Sequence, residues 1–411
     1  MEDEKKGQCK KKVIKTVSLL LIVGASFSVG NLAFKHGIII GKNRGDYKYA
    51  LSIAEKYPEF TTLFEVRDDI EKLYDGEINS DLLAENATKA MTESLGDKYT
   101  VYMNKDEYND YLYSGSGYHS GIGVYVRVNN ENKVVVIGFV DGGTAKDADI
   151  QVGDVVKTVD GVEVGSDLDK AVSLISGKEG TSVKLGLDRE GVGTVTTEVK
   201  RTKLETTSAT GKMIADNIGY ISLQNFNKNS SKQFSEELDK LSQSGMKGLV
   251  LDLRNNGGGY LDEAINIASE FIPKGKIVTY TIDKNKKKIF YKSTGEDVLD
   301  IPVTILVNEY SASASEVLTG ALRDYDIAET VGVTTFGKGI VQEMFPLSQG
   351  AGGLKVTVSK YYSPKGKNIN KVGIKPTYEV KLADGVTSKD YLTESDNQLE
   401  EALKVTQEKI K

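Results

Sequence analysis

Gly248-Leu249-Val250-Leu251-Asp252-Leu253, followed by Asn255-Asn256-Gly257-Gly258-Gly259, decides the architecture of this 411-residue chain. The run is apolar nearly throughout and lacks the polar alternation of a half-exposed strand, so it predicts a strand buried on both faces. After the glycine turn, Ala264, Ile265, Ala268 and Phe271 take up helical spacing. The pattern repeats at Val303 to Val307, a second buried strand, where Ser311-Ala312-Ser313-Ala314-Ser315 opens the next helix. It also holds at Ile218 to Leu223, followed by a helix capped by Ser230 or Ser231 with Phe234, Leu238 and Leu241 on one face. Strand alternating with helix predicts an α/β core.

Working outward, the core spans 202–395 and ends in a polar helix over 396–411 that carries Leu399, Ala402 and Leu403. Residues 118–201 have a shorter period. Gly121 to Val128 alternates as a strand, Asn129 to Asn132 turns it, and Lys133 to Phe139 runs back. Thr144 to Ile150 reads as a short helix, and Asp160-Gly161 as a tight hairpin turn. Leu168, Ala171, Val172 and Ile175 share a helical face before a strand at Val183 to Leu187. Short strands with two short helices make this one compact β module. Residues 45–115 read as helical, from the spacing of Ala54, Tyr57 and Phe60 and of Leu82, Ala87, Ala90 and Met91, with Gly96 as a stop. That segment is a candidate oligomerisation element, compatible with a homodimer.

Net charge is −6 and the pI about 5.4, so no basic footprint for nucleic acid exists. The single cysteine, Cys9, excludes an intrachain disulfide. Lys5, Lys6, Lys10, Lys11, Lys12 and Lys15 precede an uncharged run over 16–34. Such a run spans about 28 Å as a helix, close to the hydrocarbon thickness of a bilayer. The lysine excess sets residues 1–15 in the cytoplasm and everything after the anchor outside it. A cleaved signal peptide, with Ala25-Ser26 as a weak site, is the alternative.

The chemistry centres on the serine segment with Glu316 and on Gly337-Lys338-Gly339. A serine nucleophile needs a base, and the chain has only two histidines, His36 and His119. Lys338 is therefore the candidate base. A free lysine, with a pKa of about 10.4, is protonated at neutral pH. Burial lowers that value, and Phe336 is a candidate for the apolar cover. Gln342, four residues on, would lie one turn away if the stretch were helical and would hold the amine. The glycine N–H groups after Leu253 are candidate donors to an oxyanion. No phosphate-loop pattern, H-E-x-x-H motif or ligand cluster is present, so no metal or cofactor is expected. Taken singly, each feature also has a plain explanation: a serine helix cap, a turn lysine, a glycine turn.

Together these residues resemble the carboxyl-terminal processing proteases, or tail-specific proteases, of the serine/lysine class. The marks are Asn308-Glu309 before the serines and Glu316, Thr335-Phe336-Gly337-Lys338-Gly339 with Val341-Gln342, and less specifically Leu253-Arg254-Asn255-Asn256, Tyr361-Tyr362-Ser363-Pro364 and Gly373-Ile374-Lys375-Pro376. The resemblance implies a spiral, crotonase-like α/β protease core with an inserted PDZ domain at 118–201. It implies Ser313 as nucleophile, Lys338 as base, Gln342 as its orienting partner, and the N–H groups of Ala314 and Gly258 as the oxyanion hole. It also implies that Gly121, Ile122, Gly123 and Val124 bind a peptide end, so that proteins with unstructured C-termini are the substrates. Two positions depart from the family pattern: Gly257, where a proline is common, which implies a more mobile loop, and Ser176, where many members carry an arginine. A non-catalytic PDZ scaffold and a hydrolase or acyl transferase of small molecules are the rival expectations.

Overall fold

The computed structural model describes residues 56–215 and 217–410. The anchor expected over 16–34, Cys9, His36 and Ala54 lie outside the described residues. Among the described residues no helix is long and apolar enough to cross a membrane.

The chain forms two compact units that divide between Ala87 and Thr88. The first contains α1 (Thr61–Leu73) and the start of α2 (Ser80–Glu93), joined where Arg67 donates to Ser80 Oγ at 3.0 Å. Leu82 and Met91, whose spacing marked the helix, are exposed, and α2 buries only Thr92.

The second unit opens with β1 (Val101–Met103), α3 (Lys105–Gly115) and β2 (Tyr118–Gly121). Here the sequence expectation of helix through 115 needs correction, because β1 is a strand of the core and pairs with Gly353 to Lys355. Three residues flanked by helices are too few to display a period. Asn104 separates β1 from α3 and caps the helix, its side chain accepting from the N–H groups of Asp106 and Glu107.

The β module consists of β3 (Val124–Val128), β4 (Val134–Phe139), β5 (Val155–Val159), β6 (Val162–Glu163), α4 (Leu168–Ile175), β7 (Ser182–Arg189) and β8 (Gly193–Lys200). Its sheet runs β3-β4-β5-β7-β8, with β6 paired to β5. Asp160 and Gly161 both take positive φ, 49° and 81°, as the hairpin turn requires. The helix expected over 144–150 is only a 3₁₀ turn at Lys146–Ala148. β9 (Thr202–Glu205) pairs with β2 in a separate ribbon that carries the chain out of the module and into the core.

The core continues with β10 (Ala209–Ala215), β11 (Ile218–Leu223), α5 (Ser230–Gln243), β12 (Gly248–Asp252), α6 (Leu261–Ser269), β13 (Ile277–Asp283), β14 (Lys288–Lys292), β15 (Val303–Val307), α7 (Ala314–Asp324), β16 (Ala328–Gly332), β17 (Ile340–Pro346), β18 (Gly353–Tyr362), β19 (Tyr378–Glu379) and α8 (Asn397–Lys409). One sheet runs β10-β11-β12-β15-β16-β19, with β11, β12, β15 and β16 parallel. Its two faces explain the unbroken apolar run. Leu249 and Leu251 pack with Phe234, Ile265 and Leu318 from α5, α6 and α7, while Val250 packs on the other side with Leu399 and Val405 of α8. Each fully buried leucine or phenylalanine contributes about 1.5–3 kcal/mol. A second sheet runs β1-β18-β13-β14, with β17 also paired to β18.

A buried charge cluster fixes α8 to the end of β12. The Arg254 guanidinium binds Asp252 at 2.6 Å and Asp396 at 2.8 Å and stacks 3.6 Å from the centre of the Tyr391 ring. Asp396 also caps α8 through the Leu399 N–H. Burial alone would raise the Asp396 pKa, but the bonds and charge of Arg254 outweigh it and hold the carboxyl below its ordinary value. Asp396→Ala leaves Arg254 short of a partner and is expected to cost about 3–5 kcal/mol in urea unfolding. Because the folded pKa is depressed, the contribution of Asp396 is present above about pH 4 and is lost as pH falls through the folded value. The wild-type advantage over Asp396→Ala should therefore shrink in acid; an advantage that grows there would contradict this assignment.

Candidate active site

The serines of the motif divide by burial and hydrogen bonding. Ser311 and Ser315 are fully buried. The Ser311 hydroxyl donates to the Leu253 carbonyl at 2.8 Å, and the Ser315 hydroxyl to the Asn256 carbonyl at 2.8 Å. Both staple the entry of α7 to the loop after β12. Ser313 is only half-buried and sits at the N-cap of α7 with φ 57° and ψ −114°. A serine in that region is strained, and such strain persists only where the surroundings impose it.

Part of that imposition comes from Gly258, at φ 95°. A Cβ there would stand 2.8 Å from Ser313 Cβ and 2.9 Å from the Ala314 nitrogen, so only glycine lets the loop lie this close. The Gly258 N–H donates to Asn256 Oδ1 at 2.9 Å, so the donor expected for an oxyanion is here held by a neighbouring amide. Ala314, the first residue of α7, carries one of the N–H groups that a helix leaves without an internal partner.

Glu316 joins the two halves of the motif. This carboxylate is 1% exposed. Its Oε2 accepts the Ser313 N–H and the Lys338 N–H, each at 2.9 Å. Its Oε1 accepts the Gly337 N–H at 2.8 Å and the Thr335 hydroxyl at 2.5 Å. One side chain thus ties the start of α7 to the loop between β16 and β17. The Ser-x-x-Glu spacing of a capping box was the available signal for its bond to Ser313; no local signal pointed to Lys338.

The Lys338 amine lies 4.8 Å from the centre of the Tyr99 ring. Burial, and after it the Lys355 charge, pulls the Lys338 pKa below its ordinary value; Glu316 opposes this and Lys98 adds to it. The apolar cover is Tyr99, while Phe336, expected in that role, is exposed and lies beside Lys98 instead. Tyr99 is set by a turn in which Asp97 accepts the Tyr99 N–H at 3.0 Å and the Thr100 hydroxyl at 2.8 Å. Thr100 Oγ1 in turn accepts the Thr357 N–H of β18 at 3.1 Å. Sequence reasoning missed Tyr99 because it lies far from the lysine in the chain.

Gln342 lies on strand β17, so the helical turn allowed for at the sequence level does not form; its amide donates to Thr357 Oγ1 at 3.3 Å. His119 is exposed, with Nδ1 3.3 Å from Thr206 Oγ1. In the β module Gly121 pairs with Thr202 in the separate ribbon, and Ile122 is fully buried in the module core. Val124 opens β3, which is an edge strand of its sheet and contacts α4.

Comparison with known proteins sets this geometry in a family. The model of peptidase family S41 matches residues 217–380, and that of the PDZ domain matches residues 120–200. The carboxy-terminal processing protease CtpA of Bacillus subtilis (strain 168) is 34% identical over 327 residues, covering 79% of this chain and 70% of the relative. The chain belongs to peptidase family S41. Within that family its relatives are carboxy-terminal processing serine proteases, and the chain carries a PDZ domain. The carboxyl-terminal-processing protease of Synechocystis sp. (strain ATCC 27184 / PCC 6803 / Kazusa) is 34% identical over 297 residues, covering 71% of this chain and 69% of the relative. A solved S41 structure from Bacteroides fragilis NCTC 9343, 18% identical, covers 78% of this chain and 90% of that one at a TM-score of 0.50, a likeness of fold alone.

In this S41 chain, Glu316→Gln keeps the shape of the bridge but turns one acceptor into an NH₂ group, which faces the donors it should bind. Peptide hydrolysis is expected to fall at least tenfold in kcat/KM, with a smaller change in KM, because hydrogen bonds to the charged carboxylate are worth roughly 1.5–3 kcal/mol each. Steady-state kinetics check this; wild-type turnover would mean that the bridge is dispensable.

Proposed function

We propose that this protein is a serine endopeptidase that works through a Ser313–Lys338 dyad, receives unstructured protein C-termini in its PDZ domain, and is held by residues 16–34 in the membrane with its catalytic part outside the cytoplasm. The observation that carries the dyad is the Glu316 bridge between the Ser313 and Lys338 main chains, with Ser311 and Ser315 already engaged elsewhere. The open edge of β3 beside α4 supports peptide capture, because an extended segment can add a strand there.

The reaction follows from these groups. Neutral Lys338 Nζ takes the proton of Ser313 Oγ as the oxygen bonds to the substrate carbonyl carbon. The carbonyl oxygen becomes an oxyanion, received by the Ala314 N–H and by the Gly258 N–H once it exchanges its bond to Asn256. The Lys338 ammonium gives its proton to the leaving amine as the C–N bond breaks, which leaves an acyl-enzyme. Water attacks the ester carbon as Lys338 takes its proton. The bond from that carbon to Ser313 Oγ then breaks, and Lys338 passes the proton to Ser313 Oγ, which frees the acid product and restores the neutral amine. Gln342, anchored by Thr357, orients the amine from β17.

Ser313→Ala is expected to abolish hydrolysis of an unstructured substrate with a nearly unchanged thermal midpoint, whereas Ser315→Ala should retain turnover; the opposite pattern would reassign the nucleophile. Lys338→Arg should be inactive, because a guanidinium does not release its proton at working pH. The base must be neutral and its pKa is lowered, so kcat/KM should rise with pH along a limb centred below 10.5. A limb at the ordinary lysine value would contradict the role of burial.

A further inference from the structure

A second side chain, Tyr361, touches the main chain of both Ser313 and Lys338. It lies near the end of β18 and is 5% exposed, a member of the main hydrophobic core. Its backbone is fixed on both sides. The Tyr361 N–H donates to the Gly339 carbonyl at 3.2 Å, and the Tyr361 carbonyl accepts from Asn368 Nδ2 at 2.6 Å. The hydroxyl makes a short hydrogen bond to the Lys338 carbonyl and lies 3.2 Å from the Ser313 carbonyl oxygen, within hydrogen-bonding reach of both.

The second contact bears on catalysis. The carbonyl of Ser313 and the N–H of Ala314 belong to one planar peptide unit, so a group that fixes the oxygen also fixes the direction of the N–H. That oxygen already accepts the Glu316 and Val317 N–H groups, each at 2.9 Å, from the first turn of α7. The hydroxyl has a single hydrogen, which it shares between the Lys338 and Ser313 carbonyls. The share that reaches the Ser313 oxygen polarises the unit further and strengthens its N–H as a donor. Phe in place of Tyr361 would keep the ring and remove the hydroxyl together with both of its contacts.

We propose that Tyr361 is a positioning residue whose hydroxyl locks the Ser313–Ala314 peptide plane against the Lys338 main chain and so aims the Ala314 N–H at the developing oxyanion. This rests on the dyad and oxyanion assignments given under Proposed function. The hydroxyl is available as a donor at any working pH, because burial, and after it the nearby Glu316 carboxylate, holds its ionisation well above 10.0. Glu316 grips the N–H side of the two loops and Tyr361 the C=O side, so the two ties act on different peptide units.

The test uses the full chain with Tyr361→Phe, an unstructured peptide substrate and a peptide aldehyde that forms a tetrahedral adduct with the nucleophile. The expected result is a kcat about tenfold lower, a KM within about twofold of wild type, and aldehyde affinity reduced by the same factor as kcat/KM. The pH limb of kcat/KM should stay in place and the thermal midpoint should stay close to wild type. Wild-type kcat, or a kcat loss with aldehyde affinity unchanged, overturns the proposal. If the phenylalanine variant does not fold, replacement of Tyr361 by 3-fluorotyrosine carries the test, since its stronger donor should preserve or raise aldehyde affinity relative to substrate; a fall overturns the proposal. Ser313→Ala, assayed alongside, separates the two levels. Residual hydrolysis by that variant refutes the nucleophile assignment itself, while an inactive Ser313→Ala beside a normal Tyr361→Phe refutes only the positioning role.

Discussion

The Glu316 carboxylate accepts the N–H groups of Ser313 and Lys338 on one oxygen, deep in the core, and the geometry of the site depends on that bridge. A carboxylate removed from water is costly unless its oxygens are fully used, and four donors use them here. The residues it joins belong to different parts of the fold. Ser313 begins the helix after a parallel strand of the large sheet, and Lys338 lies in the loop that crosses from that sheet to the second one. Separating the loops would leave a buried charge with orphaned donors around it, which makes their juxtaposition costly to disturb.

The sheets deliver these loops to a common place. β12 and β15 lie side by side and parallel, so the loops that leave their carboxyl ends meet, and Ser311 and Ser315 stitch one to the other. Arg254, at the root of the glycine loop, is held by two buried carboxylates and by Tyr391, so the C-terminal helix is part of the site's foundation. The strained backbone of Ser313 is sustained by this rigid surround.

Much of the core was legible in the sequence, because period and burial speak together there. The parallel strands at 248–252 and 303–307 and the helices after them follow from apolar runs broken by glycine and serine turns. The short strand at 101–103 was not legible, since its pairing partner lies some 250 residues away and nothing local marks it. The same limit applies to the site. Ser313 and Lys338 stood out by residue type and glycine context, whereas Thr357 and Tyr361 reach the site through sheet pairing and Tyr99 through the turn at Asp97 and its neighbour's bond to β18. Gln342 was noted, but its stretch is a strand because β17 pairs with β18, an outcome that four-residue spacing alone does not exclude. Of the four donors to Glu316, only the Ser313 N–H lies within capping distance in the chain, and the other three come from the distant loop.

In this account burial, together with neighbouring positive charge, makes an amine into a base. Lys338 lies against Tyr99, and burial, Lys355 and Lys98 all favour its neutral form against the pull of Glu316. The most direct measurement is an NMR titration of the Lys338 amine in the intact chain, assigned through Lys338→Arg, with Ser313→Ala present to prevent self-cleavage. The account predicts a midpoint clearly below 10.5. A midpoint at or above that value would contradict it.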